Sequence, residues 1–138
     1  PKLKVYSIES IISEKFEAMV KLAMANSRMK DFYDVYTISL SHNFQGNRLK
    51  KAIESTFQKR KTPLPDAPLI FRPEFHKDKG RQRQWAAFLR KSRLSDINRE
   101  FNEIMERIST FLKPIVISIK DRSRMDKSWY PTAGCWKE

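Results

Sequence analysis

Ser27–Tyr36, "SRMKDFYDVY", sets two carboxylates three residues apart, Asp31 and Asp34, in a run crowded with Phe, Tyr and Val. A basic pair, Arg28 and Lys30, stands just ahead of them. The spacing predicts a helix over "RMKDFYDVYTISLSHNF" that stops at Gly46, a good C-terminal breaker. Met29, Phe32, Tyr33, Tyr36, Leu40 and Phe44 form its main apolar face, with Val35 and Ile38 opposite, so it reads as buried nearly all round. Asp31 lies on the line of Val35 and Ile38. An acid there needs a partner: Lys15, Arg28, Lys30 or a metal ion. Arg28–Asp31 at i,i+3 and Lys30–Asp34 at i,i+4 can pair locally.

The preceding helix offers a partner from across the core. It is expected from about Ile8 to Ala25, with Ser7 as N-cap. Its apolar stripe runs through Ile8, Ile11, Ile12, Phe16, Met19, Val20, Leu22 and Ala23, and Lys15 falls inside it between Ile11, Ile12 and Met19. Glu9, Glu14 and Glu17 fall at the margins or outside. A lysine on an apolar face either snorkels to water or finds a counter-charge. Two readings follow from periodicity alone: ion pairs that fix helix register, or half of a charged catalytic site.

Outward from this pair, Asn47 is positioned to cap a third helix that runs through about Arg60. "KTPLPDAP" reads as a loop, and a short element near Phe71–Phe75 leads to a helix near Arg81–Arg93. Ser95 is the expected cap of a final long helix that Pro114 interrupts or kinks. Two runs read as β: "PKLKVYS" at the start, by alternation, and "PIVISIK" (Pro114–Lys120), by composition. The tail "DRSRMDKSWYPTAGCWKE" is aperiodic but carries two tryptophans, so it should pack on the body. The fold class expected is mainly α: one helical domain over 1–138, about five helices and one short N-terminal strand. A lone strand is unstable, so the opening one reads as the last strand of a sheet whose remainder is missing.

Composition excludes several classes. With 3 glycines there is no GxxxxGK[ST] and no GxGxxG loop. The lone Cys135 excludes an internal disulfide, and His42 and His76 stand apart from any Cys, so a structural zinc site is not expected. No apolar run reaches the roughly 18 residues of a membrane span, and the expectation is a cytoplasmic protein. Lys and Arg number 28 against 16 Asp and Glu, a net charge of +12, which favours polyanionic partners. "HKDKGRQRQWAAFLRKSR" concentrates Lys77, Lys79, Arg81, Arg83, Arg90, Lys91 and Arg93 against the single acid Asp78, and "FQKRK" adds Lys59, Arg60 and Lys61. That segment is a candidate nucleic-acid surface. The plainer alternative is a solvated basic face over a core of Trp85, Phe88 and Leu89.

"YSIESIISEKFEAMV" followed by "NSRMKDFYDVY" resembles the AbiEii/AbiGii-type nucleotidyltransferases, the toxin halves of abortive-infection toxin–antitoxin systems. That family shows a strand, an EK-x-x-A helix and an R-x-K-D-x-Y-D helix, and "FRPEFHKDKGRQRQWAAFLRKSRL" and "SWYPTAGCW" are similar to its C-terminal region. Its upstream Gly-Ser or Gly-Gly motif and magnesium-holding D-x-D pair have no counterpart here, so the chain would be the C-terminal part alone. The resemblance implies roles by position. Lys15 matches the lysine expected at the triphosphate, and Asp31 the aspartate that supports the site as a base or by holding Lys15. Arg28 and Lys30 are then placed to contact phosphates or neutralise the acids, with Asp34 orienting the helix or Arg28. Magnesium and a nucleoside triphosphate are implied for the complete enzyme, with no metal ligand in this chain. The implied partners are the missing N-terminal nucleotidyltransferase core, an RNA acceptor such as transfer RNA, and a cognate antitoxin. The chain alone would be inactive. The alternative is a stand-alone basic RNA-binding or protein-interaction helical module without catalysis.

Overall fold

Ser7 ends the lead-in and starts the first helix: the Ser10 N–H donates to its side-chain oxygen at 3.1 Å, satisfying one orphan donor of the first turn. The computed structural model describes residues 6–23, 28–94 and 99–138. Helix α1 spans Ile8–Leu22 and α2 spans Met29–Ser41. A two-residue strand, β1 (Phe44–Gln45), leads directly into α3 (Gly46–Lys59). After the proline loop come a 3₁₀ turn at Leu69–Phe71, a short α4 (Pro73–His76) and α5 (Lys79–Lys91), which Asp78 caps. The long α6 (Phe101–Asp121) is followed by the hairpin strands β2 (Ser128–Tyr130) and β3 (Cys135–Lys137). The three strands form one antiparallel sheet in the order β1-β2-β3, with Phe44 opposite Trp129 and Trp129 opposite Trp136.

The mainly helical class holds, with four corrections. Helix α2 stops at Ser41 rather than running to Phe44, because Phe44 is drawn into the sheet opposite Trp129. Gly46 therefore begins a helix instead of breaking one. It sits where a side chain would overlap the Met125 carbonyl oxygen and Cγ, and its N–H donates to the Lys127 carbonyl at 2.7 Å. Asn47 does not cap α3. It donates to Asp126 at 2.6 Å and accepts from the Met125 N–H at 2.8 Å, tying the helix start to the segment before β2.

The third correction is "PIVISIK", which is helix. Ile115 and Val116 are buried with Phe111 and Leu112, continuing the stripe of Phe101, Ile104, Met105 and Ile108 at helical spacing. Pro114 lies inside α6, where it removes one backbone hydrogen bond at a cost of about 3 kcal/mol. The burial on both sides of it offsets that cost and overrides β-propensity. Fourth, α6 begins at Phe101 with Glu100 at the cap position, and Ser95 lies outside the described residues. The expected opening strand likewise falls almost wholly outside them, and Tyr6 and Ser7 are not in a strand.

Helix α6 forms the spine, with α2, α3, α4, α5 and β3 packed around it, while α1 packs chiefly on α3. Aromatic rings carry the joints. Phe16 of α1 meets Phe57 at 5.6 Å, Phe32 of α2 meets Phe101 edge-on at 5.8 Å, and Phe111 meets Trp129 at 4.9 Å. The tail packs on the body as expected: Trp136 stacks on Phe111 and donates to its carbonyl at 2.9 Å.

Arg107 fastens the hairpin to α2. Its guanidinium lies over the Trp129 ring at 5.0 Å and donates to the Ser39 and Pro131 carbonyls at 3.0 and 2.9 Å. Burial pulls its pKa below the usual arginine value, and its hydrogen-bond acceptors among the described residues, the Ser39 hydroxyl and the two carbonyls, are neutral. Three helices end on a basic residue in the left-handed region: Lys61, Arg93 and Arg122 after α3, α5 and α6. In each, the following N–H reaches back five residues, as in Thr62 to the Phe57 carbonyl at 3.0 Å.

Candidate functional site: a charged cleft along α1

The buried face of α2 passes through Phe32, Val35 and Ser39, with Asp31 on its edge, while Tyr33, Tyr36 and Ile38 are half-buried and Leu40 is 46% exposed. Asp31, at 4% exposure, is the most withdrawn acid of α2. It lies in the helix's first turn, where the positive end of the helix dipole favours a carboxylate. Arg28 Nε donates to its Oδ2 at 2.8 Å, and Lys15 Nζ of α1 stands 3.5 Å from its Oδ1.

Lys15 is closer to the other acid. Its Nζ is 2.8 Å from Asp34 Oδ2, and Lys30 holds the same carboxylate from the solvent side at 3.0 Å. Asp34 thus pairs with Lys15 and Lys30, and Arg28 pairs with Asp31. Partial burial works against both charges, but the mutual bond outweighs it. The Lys15 ammonium is raised above its ordinary value by Asp34 and then Asp31, and the Asp34 carboxyl is lowered by Lys15 and Lys30. The Arg28 guanidinium is raised by its bond to Asp31.

Lys15 and Asp31 line a cleft of about 570 Å³ that runs along α1 and is closed at its far side by Arg60, just past the end of α3. Here the sequence reading missed a residue. Glu17 is 2% exposed, not marginal. Arg60 Nη1 donates to its Oε1 at 2.8 Å and the Thr62 hydroxyl to its Oε2 at 2.6 Å. Burial raises the Glu17 carboxyl, and the bonds from Thr62 and Arg60 more than reverse that, leaving it lowered. Wheel position alone could not show this, because Glu17 finds its partners 43 and 45 residues away.

The basic segment is placed differently. Lys77, Lys79, Arg83, Arg90, Lys91 and Arg93 are exposed along α5 and its flanks. Lys79, Arg83 and Arg90 fall on one line of the helix, at i, i+4 and i+11. Arg81 turns inward: it donates to the Ala23 carbonyl at 2.6 Å, lies over the Phe75 ring at 4.3 Å and pairs with Asp78 at 3.5 Å. Trp85 is core, donating to the Arg99 carbonyl at 3.0 Å.

Magnesium does not fit the residues present. Each carboxylate of α2 already faces an ammonium or guanidinium, and among the described residues no three His, Cys, Asp or Glu side chains converge as a ligand set. Nor is any described helix long and apolar enough to cross a membrane.

No curated protein and no solved structure matches this chain. One family does: the nucleotidyl transferase AbiEii toxin of type IV toxin–antitoxin systems matches residues 1–107, which take in both charged helices and the basic segment and stop short of "SWYPTAGCW". With that match covering most of its length and the whole of the charged cleft, the chain belongs to the AbiEii nucleotidyl transferase toxin family.

Proposed function

We propose that this chain supplies one wall of a nucleotidyl-transfer site, in which Lys15 meets the triphosphate of a nucleoside triphosphate and Asp31 and Asp34 hold it in place. The observation that carries this reading is the position of Lys15: fixed between two carboxylates at the edge of an open cleft rather than sealed in the core. In-line transfer to an attacking oxygen breaks the α–β phosphoanhydride bond, and negative charge gathers on the departing pyrophosphate. An ammonium already anchored needs no reorganisation to neutralise that charge. It has three N–H donors, and two carboxylates leave one for a phosphate oxygen. Asp31, gripped by Arg28 and Lys15, is a positioning residue rather than a base.

The carboxylates that hold magnesium come from an N-terminal core outside this chain, and the chain alone transfers no nucleotide. The acceptor is RNA, such as the acceptor end of a transfer RNA. The net charge of +12 and the exposed line Lys79, Arg83 and Arg90 support a polyanion whose phosphates set affinity without reading sequence. A cognate antitoxin is the partner that family membership supports.

The test is incorporation of labelled nucleotide into RNA by the full-length protein and its Lys15→Ala variant. Transfer is expected to fall by roughly a hundredfold or more with the fold intact. Undiminished transfer by the variant refutes the role of Lys15, and transfer by the 138-residue chain alone with magnesium refutes its incompleteness. A second reading, a basic RNA-binding or protein-interaction module without catalysis, is favoured by one fact: both α2 carboxylates are satisfied by cations. Salt-dependent RNA binding indifferent to Lys15→Ala, with no transfer by the full-length protein, would establish it.

A further inference from the structure

The face of α1 that lines the cleft is centred on Ala18. On the helical wheel Ile11, Leu22 and Lys15 fall to one side of it, toward α2, and Glu14, Lys21 and Glu17 fall to the other, toward Arg60. The groove therefore has a small residue for its floor and cations on both walls. From Ile11 to Leu22 it follows the helix for about 16 Å, too far for one phosphate to touch both ends.

The walls are built alike. On the α2 side Lys15 is anchored by Asp31 and Asp34; on the α3 side Arg60 is anchored by Glu17, with Glu14 at 3.6 Å. In both, the anchoring carboxylate is withdrawn and the cation is not. Asp31 and Glu17 are 4% and 2% exposed, whereas the Lys15 and Arg60 side chains are 26% and 44% exposed. A ligand in the groove meets four cations, Lys15, Lys21, Arg28 and Arg60, and one accessible carboxylate, Glu14, which is 37% exposed and 3.6 Å from Arg60. Glu17 is fixed in turn by Thr62, and the chain reaches Thr62 from Arg60 through Lys61 in a left-handed conformation, an unfavourable one for a residue with a Cβ. The strain brings Arg60 and Thr62 to the same carboxylate.

We infer that this groove is a two-walled clamp for a linear polyphosphate, the tail of a nucleoside triphosphate, with Arg60 as a second phosphate contact opposite Lys15, Glu17 as the residue that positions it, and Ala18 as the floor that gives the chain room. The inference deepens the reading of Lys15 given above and rests on it. A guanidinium keeps several N–H donors after one bond to Glu17, and it grips phosphate oxygens in a planar fork that lysine cannot reproduce.

The experiment titrates the 138-residue chain with tripolyphosphate by calorimetry at low salt, with thermal melting of every variant recorded beside it. Lys15→Gln and Arg60→Gln should each weaken binding about tenfold or more, and Ala18→Leu should block it while leaving the melting temperature within a few degrees. Glu17→Gln combined with Arg60→Gln should bind no more weakly than Arg60→Gln alone, which a merely structural glutamate would not give. Lys113→Gln, on the exposed surface of α6, serves as the unaffected control. If Lys15→Gln weakens binding and neither Arg60→Gln nor Ala18→Leu does, the clamp is wrong and the reading of Lys15 stands. If none of the three matters, or no saturable binding occurs at millimolar tripolyphosphate, both fall. Displacement by a short 5′-hydroxyl oligoribonucleotide, with no displacement by a nucleoside triphosphate, overturns the choice of ligand.

Discussion

Among the described residues Lys15 and Asp34 form the shorter of the two ion pairs between α1 and α2, 2.8 Å from Nζ to Oδ2, although Asp34 is the less buried of the two aspartates. The more buried acid, Asp31, is held more closely by Arg28, at the N-cap of its own helix, than by Lys15. The pair across the helices is therefore half-wet. It sets the lateral position of α1 on α2 without the full desolvation penalty of a core ion pair.

That pairing has a pH signature. The Asp34 carboxyl is held below its ordinary 3.8, so its contribution to stability is complete above that pH and is lost as pH falls through the lower folded value. Lys15 is raised above 10.5, so its contribution is complete below that pH and is lost as alkalinity passes the higher folded value. Urea unfolding at stepped pH should show Asp34→Asn less stable by about 1–2 kcal/mol near neutrality, with the gap to wild type closing in strong acid. A gap that stays constant down to pH 2 would show that the pair contributes nothing.

Glu17 should behave as a buried anchor. Removing its carboxylate by Glu17→Ala strips Arg60 and Thr62 of their acceptor and is expected to cost about 2–4 kcal/mol. Thr62→Val removes only one donor and should cost about 1–2 kcal/mol. Equal losses in the two variants, read from denaturant midpoints, would contradict the geometry.

Arg107 has no carboxylate to replace it. Arg107→Leu leaves the Ser39 and Pro131 carbonyls without its donors and is expected to destabilise by about 2–4 kcal/mol. Arg107→Lys should recover less than half of this, because an ammonium has no second nitrogen for the Ser39 hydroxyl and no plane to lie flat on Trp129. Full recovery by lysine would reduce the guanidinium to a mere charge.

Lys61 is a site for stabilisation. Lys61→Gly removes the Cβ strain of φ 54 and, after the entropy glycine brings to the unfolded chain, should gain about 0.5–1 kcal/mol. Gly46→Ala should do the reverse by about 1–3 kcal/mol, since the obstacle is largely the Met125 and Lys127 backbone, which cannot swing away. Both are read as shifts in melting temperature.

The parts of the fold that could be read in advance are those whose cause is local. Ser7 caps α1, and Asp31 and Asp34 pair at i,i+3 and i,i+4 because those distances are fixed by the helix itself. The partner of Lys15 followed from a charge stranded on an apolar stripe. What could not be read depends on residues far along the chain. Glu17 is an anchor because of Thr62, Gly46 starts a helix because Met125 lies against it, and Phe44 leaves α2 because Trp129 pairs with it. "PIVISIK" misled for another reason. Its β-branched composition is a local preference, and the stripe begun at Phe101 outweighs it. The three helix ends at Lys61, Arg93 and Arg122 were hidden because glycine, the usual sign of that turn, is absent from all of them.

The pairing of β1 with β2 also governs the order in which the molecule can form. Phe44 and Trp129 are partners 85 positions apart in the sequence, whereas α1, α2 and α3 can pack as soon as their own residues exist. During synthesis the slot above Ser39 must wait, uncovered, until Trp129 has been made, and Phe44 has only Phe111 of α6 to cover it before then. Closing so distant a contact carries a large loop entropy, which makes it a late event. The sheet is thus the fold's final latch, and until it shuts the nascent helices expose an aromatic surface that a chaperone can hold.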